Sequence, residues 1–329
     1  MKKNKFLNVL VILIIVLIIS FLMALLFGGV HIALKDVLLG LFNNEDTKYA
    51  IIMKQIRLPR VIGAIIAGVG LSVSGLIIQN ITNNNLASPN IIGINSGAGL
   101  SVIIILLCIP TFYLLPIAAF IGAFLTTLVI MAISNKVGGS KVTIILSGIV
   151  VTTLLNAIIS LISLIDSDVL LSYNYFSIGG LNGISFHKLF VPGLLMIIVL
   201  IITIIISRKL DVLALGDDIA TSLGINVKKT RMLAMVLASL SAACVVSFAG
   251  LLGFVGLIVP HIARKIIGNN TRKSLVVSVI VGSILVILAD LLGRVVIAPS
   301  EVPVGIIMAF IGAPFFLILL LKGGQHVRN

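Results

Sequence analysis

Apolar runs, each long enough for a membrane-crossing helix, alternate with short polar breaks along nearly the whole chain. A helix needs about 20 apolar residues to cross roughly 30 Å of hydrocarbon, whereas transmembrane strands show short alternating segments, which this sequence lacks. The pattern therefore predicts an all-α, polytopic membrane protein whose single domain covers residues 1–329. We predict ten transmembrane helices, at residues 6–27, 61–81, 91–109, 112–134, 142–165, 189–207, 231–249, 251–267, 274–297 and 303–322.

Turn-forming residues separate the predicted helices at two breaks that carry no charge. Pro110 and Pro116 mark the break between the third and fourth helices. Gly250 and Gly253 mark the break between the seventh and eighth. Both residue types are typical of turns, so we predict that the chain reverses at these two places.

A faint internal repeat relates the second predicted helix to the seventh. The run Arg60-Val-Ile-Gly-Ala-Ile-Ile-Ala-Gly opens the first of these, and Arg231-Met-Leu-Ala-Met-Val-Leu-Ala-Ser opens the other. Five helices separate the two copies, so they would run in opposite directions, as in the inverted repeats of many transporters. Small residues at this spacing also pack helices closely in any membrane protein. The pattern indicates a weak inverted repeat, with plain helix packing as the alternative.

The charged residues indicate how the chain is oriented in the membrane. The sequence is 60% hydrophobic and 10% charged, whereas about a quarter of the residues of a soluble domain are charged. The net charge of +13 comes from Lys and Arg residues that collect in short loops on alternate sides of the helices. This distribution follows the positive-inside rule, so we predict both termini in the cytoplasm and no nucleic-acid partner. The first apolar run is too long for a signal peptide, and we predict an uncleaved helix there.

Motifs for catalysis or metal binding are missing from the sequence. No Walker A motif occurs, so the chain is expected not to hydrolyse nucleotide itself. Cys108 and Cys244 stand alone in apolar runs and are interpreted as packing residues. The histidines, at positions 31, 187, 261 and 326, have no metal-ligand spacing, and no Ser/His/Asp set can be assembled. We therefore predict no catalytic residue, no metal site and no cofactor on this chain.

Residues 208–231, which we call the polar segment, interrupt the apolar pattern. Lys and Arg residues flank both sides of its centre. Apolar residues at 215, 219, 220 and 223 have helical spacing, Asp217 and Asp218 suit a first helical turn, and Gly224 suits a C-terminal cap. The pattern predicts a short amphipathic helix on the cytoplasmic side. Such a helix lies either in the lipid interface or against a soluble partner, and we favour the partner.

Two charges fall within the ninth predicted helix, where ionisable residues usually mark function. Asp290 and Arg294 are four residues apart, so they share one face of the helix and can form an ion pair. Two interpretations stay open, a structural ion pair and a carrier carboxylate at Asp290 in an ion-coupled secondary transporter. A proton-driven pump usually has more buried acids than one, which disfavours the secondary transporter.

Four stretches are more specific than generic membrane sequence. The first is Arg57-Leu58-Pro59-Arg60 with the glycine-rich run that follows to Gln79, then Asn84-Asn85-Leu86-Ala87-Ser88-Pro89 and Gly93-Ile94-Asn95-Ser96-Gly97-Ala98. The others are the centre of the polar segment, Leu215 to Ile225; Gly253 to Arg264; and Pro299 to Gly305 with Gly312-Ala313-Pro314-Phe315-Phe316. At these residues the chain resembles the permease family of ABC importers for iron–siderophore complexes, haem and vitamin B12. It departs from the family at Asn85, where a proline is usual, and at Phe176, where a tryptophan is usual.

The resemblance implies ten transmembrane helices per subunit and a homo- or heterodimer of permease subunits around a central pathway. It also implies two cytoplasmic ATPase subunits, which bind ATP and magnesium, and an external substrate-binding protein or lipoprotein. The implied function is ATP-driven import of a ferric siderophore across the bacterial cytoplasmic membrane by alternating access. Haem and vitamin B12 are the alternative substrates, and a non-transporting membrane scaffold is the alternative function.

The resemblance also implies roles for residues on the cytoplasmic side. Asn84 and Leu86, with the turn at residues 138–143, would form the cytoplasmic gate, and ordinary short loops are the alternative. The absent proline at Asn85 puts the stiffness of this gate in doubt. Within the polar segment, the residues that would couple to the ATPase are Leu215, Gly216, Asp217, Asp218, Ala220, Leu223 and Gly224.

On the outer side the resemblance implies a docking site for the binding protein. Arg57, Arg60 and Arg294 would receive acidic side chains of that protein. We expect exposed pairs, each contributing about 0.2–1 kcal/mol. The alternative is that Arg57 and Arg60 anchor their helix at the lipid headgroups while Arg294 pairs with Asp290.

Overall fold

The computed structural model describes residues 3–28, 48–109 and 113–325, and within these ranges the chain is helical with no strand. A single α-turn, Lys48–Ile51, and a π-helical stretch, Ile52–Arg57, lead directly into the second long helix. A short 3₁₀ helix, Pro89–Ile92, precedes the third. The α-helices are α1 (Lys3–Leu26), α2 (Leu58–Thr82), α3 (Ile94–Cys108), α4 (Leu115–Lys136), α5 (Lys141–Ile165), α6 (Ser167–Ile178), α7 (Phe186–Leu213), α8 (Asp217–Ser222), α9 (Val227–Ala249), α10 (Val255–Ile267), α11 (Thr271–Val295) and α12 (Val304–Gln325).

Each of the ten predicted positions contains a helix, but the helices differ in length. Seven of the described helices are long and apolar enough to cross a membrane: α1, α2, α4, α5, α7, α9 and α11. The apolar helices Ile94–Cys108 and Val304–Leu319 are shorter, and α10 has 13 residues, which is about 20 Å of helix. The all-α, multi-pass fold is confirmed, whereas ten full-length crossings are not.

Helix α6 lies between the fifth and sixth predicted transmembrane helices, where the sequence analysis names no helix. It begins after Asp166, whose carboxylate accepts hydrogen bonds from the N–H groups of Asp168 and Val169, and it ends at Gly179, where φ is +73°. Hydropathy misses this helix because polar and apolar residues alternate irregularly along it. The acidic cap was the local signal that could have found it.

Helix α2 lies at the centre of the molecule, where it packs against α7, α9, α10 and α11. Close approach depends on glycine at two positions. A Cβ atom at Gly68 would lie 2.2 Å from the carbonyl oxygen of Gly282 in α11, and one at Gly75 would lie 1.8 Å from the carbonyl oxygen of Gly256 in α10. Helix association in membranes depends on this kind of tight backbone contact. The glycine-rich sequence of α2 is therefore explained by its central position.

Helices α2 and α9 pack in opposite directions, as the repeat in the sequence predicts. The Ser241 hydroxyl donates to the Gly70 carbonyl oxygen at 2.9 Å, and the Ser74 hydroxyl donates to the Ala238 carbonyl oxygen at 2.7 Å. A step forward along α2 thus matches a step backward along α9. Gly70 and Ser241 are separated by 171 residues, the same separation as the arginines that open the two runs. Equivalent positions of the two copies therefore meet at mid-helix.

Contacts between α2 and α11 define two ends of the helix bundle. Arg60 contacts Asp290 at one end of the α2–α11 pair, and the Asn80 amide donates to the Thr271 hydroxyl at the other. We call the first the arginine end. The second holds α8 and is called the polar-segment end.

Candidate functional site

The three arginines predicted for docking meet at the arginine end. Arg57 is the last residue of the π-helical stretch, Arg60 lies in the first turn of α2, and Arg294 lies in the last turn of α11. Together with Glu301 they line one open pocket of about 300 Å³. π-Helical turns are rare and frequently occur at functional sites. Arg57 ends this one, three residues before Arg60, and both side chains line the same pocket.

Two carboxylates hold two of these arginines. Arg60 contacts Asp290 at 2.9 Å and Glu301 at 2.8 Å. The second oxygen of Asp290 lies 3.0 Å from Nε of Arg294. Asp290 is only 1% exposed and is shared by the two guanidinium groups. The predicted Asp290–Arg294 pair is present, and it belongs to a larger buried network.

The C-terminal turn of α1 supplies the remaining acceptors. Arg57 donates to the carbonyl oxygens of Leu25 and Leu26, and Arg294 donates to that of Ala24 at 3.1 Å. The last carbonyl groups of a helix have no partner within the helix and carry partial negative charge, so they attract cations. This turn therefore helps to gather the arginines.

The expectation of exposed arginines is wrong. Arg57, Arg60 and Arg294 are 5%, 7% and 3% exposed. The buried carboxylates and the end of α1 draw the guanidinium groups inward. Hydropathy could not reveal this, because the acceptors come from distant parts of the sequence.

The turn that holds the predicted gate lies at the polar-segment end. Asn83 adopts a left-handed conformation with φ of +51°, and the Asn84 side chain accepts a hydrogen bond from the N–H of Leu86 at 2.9 Å. Asn84 is exposed and Leu86 is half-buried. An Asn side chain that binds the backbone two residues ahead closes a turn locally. The turn is thus closed by this hydrogen bond, although position 85 lacks the proline that the family resemblance leads us to expect.

Arg264 supplies a second brace that sequence reasoning missed. Its guanidinium group donates to the side-chain oxygens of Asn85 at 2.8 Å, Gln79 at 2.5 Å and Asn80 at 3.2 Å. These contacts connect α10, the C-terminal end of α2 and the gate turn. Arg264 belongs to the family-like stretch Gly253 to Arg264, but nothing in the local sequence indicates a contact with Asn85, which lies 179 positions earlier in the chain.

Helix α8 confirms the short helix predicted within the polar segment. Gly216 precedes it with φ of +118°, and Gly224 follows it with φ of +78°. The N–H of Ile225 donates back to the Ala220 carbonyl oxygen at 3.0 Å, which closes the helix in the manner of a glycine C-cap. Ala220 is buried against the bundle.

The outward side of α8 carries both apolar and polar residues. Ile219 within the helix is 48% exposed, and Leu215 and Leu223, which lie just before and just after it, are 61% and 63% exposed; Thr221 and Ser222 are exposed beside them. Asp218 and Gly224 are also exposed, and Gly216 is half-buried. Exposed apolar patches of this kind mark contacts with a protein or with a membrane.

Histidine, cysteine and carboxylate side chains do not gather into a metal site within the part of the chain that the structure describes. Cys108 is exposed and Cys244 is buried, and both are free thiols. His31, His326 and Pro110 lie outside the described residues.

Comparison with known proteins extends these observations. The model of the FecCD transport family matches residues 16–322. The chain belongs to the FecCD transport family. It is a multi-pass membrane permease of that family.

Individual relatives match this FecCD permease over most of its length. It is 34% identical to the iron(3+)-hydroxamate import system permease protein FhuG of Bacillus subtilis, with 98% of each chain covered. It is 35% identical to the Fe(3+)-citrate import system permease protein YfmE of the same organism, covering 97% of this chain and 96% of the relative. It is 34% identical to the hemin transport system permease protein HmuU of Yersinia pestis, covering 81% and 82%.

A solved structure supports the fold of the FecCD permease. The structure, described as an inward-facing conformation of a metal-chelate type ABC transporter, has a TM-score of 0.87 and 28% sequence identity. The alignment covers 96% of this chain and 99% of the other.

Proposed function

We propose that the chain is the transmembrane subunit of an ATP-driven importer that moves a ferric siderophore across the bacterial cytoplasmic membrane. The observation that carries this proposal is the full-length match to permeases named for iron(3+)-hydroxamate and Fe(3+)-citrate import. The hemin permease among the relatives keeps haem as an alternative substrate, and vitamin B12 is a further one. Transport proceeds by alternating access, and the ten predicted crossings form the permease domain, with a weak inverted repeat.

We propose three kinds of partner protein for this permease. A second permease subunit, identical or related, completes the pathway. Two ATPase subunits bind ATP and magnesium, so this chain carries no cofactor and no catalytic residue. A substrate-binding protein or lipoprotein delivers the cargo to the outer face, and both termini lie in the cytoplasm, which makes the arginine end external.

At the polar-segment end, α8 is the proposed contact with the ATPase. Ile219 in α8 and the adjacent Leu215 and Leu223 are exposed apolar residues, while Arg208, Lys209, Lys228 and Lys229 are exposed around them. An apolar centre with a charged rim is typical of a protein interface. The neighbouring Asn84–Leu86 turn, held by Arg264, and the turn at 138–143 are the proposed gate.

At the arginine end, the pocket is the proposed docking site for an acidic side chain of the binding protein. Because Arg60 already contacts Glu301 at 2.8 Å, an incoming carboxylate competes with a carboxylate of the permease itself. The side chain of Glu301 is 30% exposed, against 1% for Asp290. The incoming carboxylate therefore displaces Glu301 from Arg60, while the contact between Arg60 and Asp290 is kept.

Opposite changes in association rate test this docking site. Arg57→Gln removes a cation from the pocket, and Glu301→Gln removes an anion. We expect the first to slow and the second to speed association of the binding protein with the permease in nanodiscs, each by about tenfold at low salt and less at high salt. Surface plasmon resonance measures both rates.

The exposed cation Lys188, at the same end in α7, provides the matched control. Lys188→Gln should leave the association rate within about twofold, since long-range steering depends on charges near the docking surface. Misfolding cannot explain a faster rate, so the Glu301→Gln result separates docking from damage. Unchanged rates in both pocket variants would leave Arg57 and Arg60 as structural anchors only.

The rival function, an ion-coupled secondary transporter with Asp290 as its carrier, has less support. A carrier carboxylate must release and bind its ion during each cycle. Asp290 is instead only 1% exposed, and it is held at 2.9 Å by Arg60 and at 3.0 Å by Arg294.

A further inference from the structure

Arg231 joins three elements at the polar-segment end. It lies in the first turns of α9 and is 4% exposed. One nitrogen of its guanidinium group donates to the Asp217 carboxylate at 2.6 Å, and another donates to the Gly139 carbonyl oxygen at 3.1 Å. Asp217 is the first residue of α8, and Gly139 belongs to the turn between α4 and α5. One rigid group therefore touches α8, α9 and the 138–143 turn.

The 138–143 turn has few other contacts with α8. Gly138 and Gly139 have positive φ values. The N–H of Gly139 donates to the Ser134 carbonyl oxygen at 2.8 Å, and that contact stays at the end of α4. Lys141 reaches Asp217 only at 3.9 Å. In the described parts of the chain, the Arg231 side chain is the closest polar connection between this turn and α8.

The chemistry of the guanidinium group makes this connection stiff. Its donors have a fixed planar arrangement, so two acceptors bound to one group keep a set distance from each other. Hydrogen bonds to a charged acceptor are shorter and about twice as strong as neutral ones. Because Arg231 is buried, water competes poorly for its donors, in contrast to an exposed ion pair.

We propose that Arg231 is a positioning residue that makes α8 and the 138–143 turn move as one unit. A displacement of α8 by the ATPase then reaches the ends of α4 and α5 through Asp217, Arg231 and Gly139. This inference rests on the proposed function of α8 as the ATPase contact. It adds a residue in α9 to that function and states which turn receives the movement.

A spin-label measurement tests the connection in the permease alone. Nitroxides are attached at Val142→Cys and Ser222→Cys, both at exposed positions, in a parent where the exposed Cys108 is replaced by Ser. Double electron–electron resonance in nanodiscs should give a narrow distance distribution. We expect Arg231→Met to broaden it at least about twofold, because a lost coupling between two elements frees their relative motion.

Two further variants keep the result interpretable. Asp217→Asn leaves Arg231 in place but weakens the bond to α8, and since the Asp217 side chain is 40% exposed the variant should fold even if Arg231→Met does not. It should broaden the distribution to a smaller extent. Lys136→Gln removes an exposed cation at the end of α4 and should match the parent.

The ratio of substrate uptake to ATP hydrolysis distinguishes a coupling role of Arg231 from a merely structural one. The permease is reconstituted with its ATPase and binding-protein partners, and uptake of a radiolabelled ferric hydroxamate is divided by ATP hydrolysed. We expect this ratio to fall about tenfold in Arg231→Met, within the range usual for coupling between sites, while ATP hydrolysis continues. Lys136→Gln should keep the parent ratio.

The outcomes separate the two proposals. Suppose that the parent shows ATP-coupled uptake, and that Arg231→Met and Asp217→Asn change neither the uptake ratio nor the distance distribution. That result would overturn the role proposed for Arg231 and leave the proposed function standing. A fall in uptake and hydrolysis together would show a folding or docking defect and would also overturn that role. A parent without any ATP-coupled uptake would overturn the proposed function, and with it this inference.

Discussion

Asp290→Asn will destabilise the permease more than any other single change at the arginine end. The substitution leaves Arg60 and Arg294, which are 7% and 3% exposed, without the carboxylate that they share at 2.9 and 3.0 Å. Removing one partner of a buried ion pair typically costs about 3–5 kcal/mol, because the remaining charge stays buried and uncompensated. We expect the free energy of unfolding to fall by about 3 kcal/mol or more, as measured by denaturant unfolding in mixed micelles.

Glu301→Gln is the matched control for this prediction. It removes one negative charge from the same network, but its side chain is 30% exposed. The loss should stay near the 0–1 kcal/mol usual for accessible ion pairs. Equal stability of Asp290→Asn and the parent would mean that the buried network does not hold the arginine end together.

Gly224→Trp will abolish coupling without abolishing folding. A Cβ atom at Gly224 would meet no atom within 4 Å, so the indole ring has room and adds to the outward face of α8. The φ of +78° costs a non-glycine residue about 1–2 kcal/mol. A folded permease should tolerate that cost. The ring, however, occupies the proposed contact with the ATPase, and uptake should fall at least about tenfold at normal expression.

Gly183→Trp provides the control for backbone strain. Gly183 also has a positive φ, +67°, and no neighbour within 4 Å of a Cβ atom, but it lies in the turn before α7 and not in the polar segment. Expression and uptake should both resemble those of the parent. Normal uptake by well-expressed Gly224→Trp would show that α8 is not the coupling element.

The helices could be predicted from the sequence because their signals are local. Apolar runs place a helix at each predicted position. Capping residues confirm several boundaries: the side chains of Ser140, Asn226 and Asn270 each accept a hydrogen bond from the backbone N–H three residues ahead. The same local chemistry predicts α8 between Gly216 and Gly224. Such signals need no knowledge of the rest of the fold.

The contacts at each end could not be predicted, because they join distant parts of the chain. Arg60 meets Asp290 across 230 positions, and Arg264 meets Asn85 across 179. Hydropathy assigns every arginine near a helix end to the surface, whereas tertiary acceptors draw these side chains inside. The predicted start of α10 is wrong by four residues. The helix begins at Val255 and not at 251, because Phe254 before it has a positive φ of +65°, while the predicted end at residue 267 is confirmed.

Uptake by reconstituted permease tests the central claim most directly. Proteoliposomes contain the permease with its ATPase partner, and the binding protein loaded with a radiolabelled ferric hydroxamate is added outside. The account predicts that iron accumulates only when ATP and magnesium are enclosed, and that it stops when the ATPase is omitted or inactivated. Ferric citrate and haemin, each presented in the same way, distinguish the substrates. Accumulation driven by an ion gradient in vesicles that contain the permease alone would contradict the account.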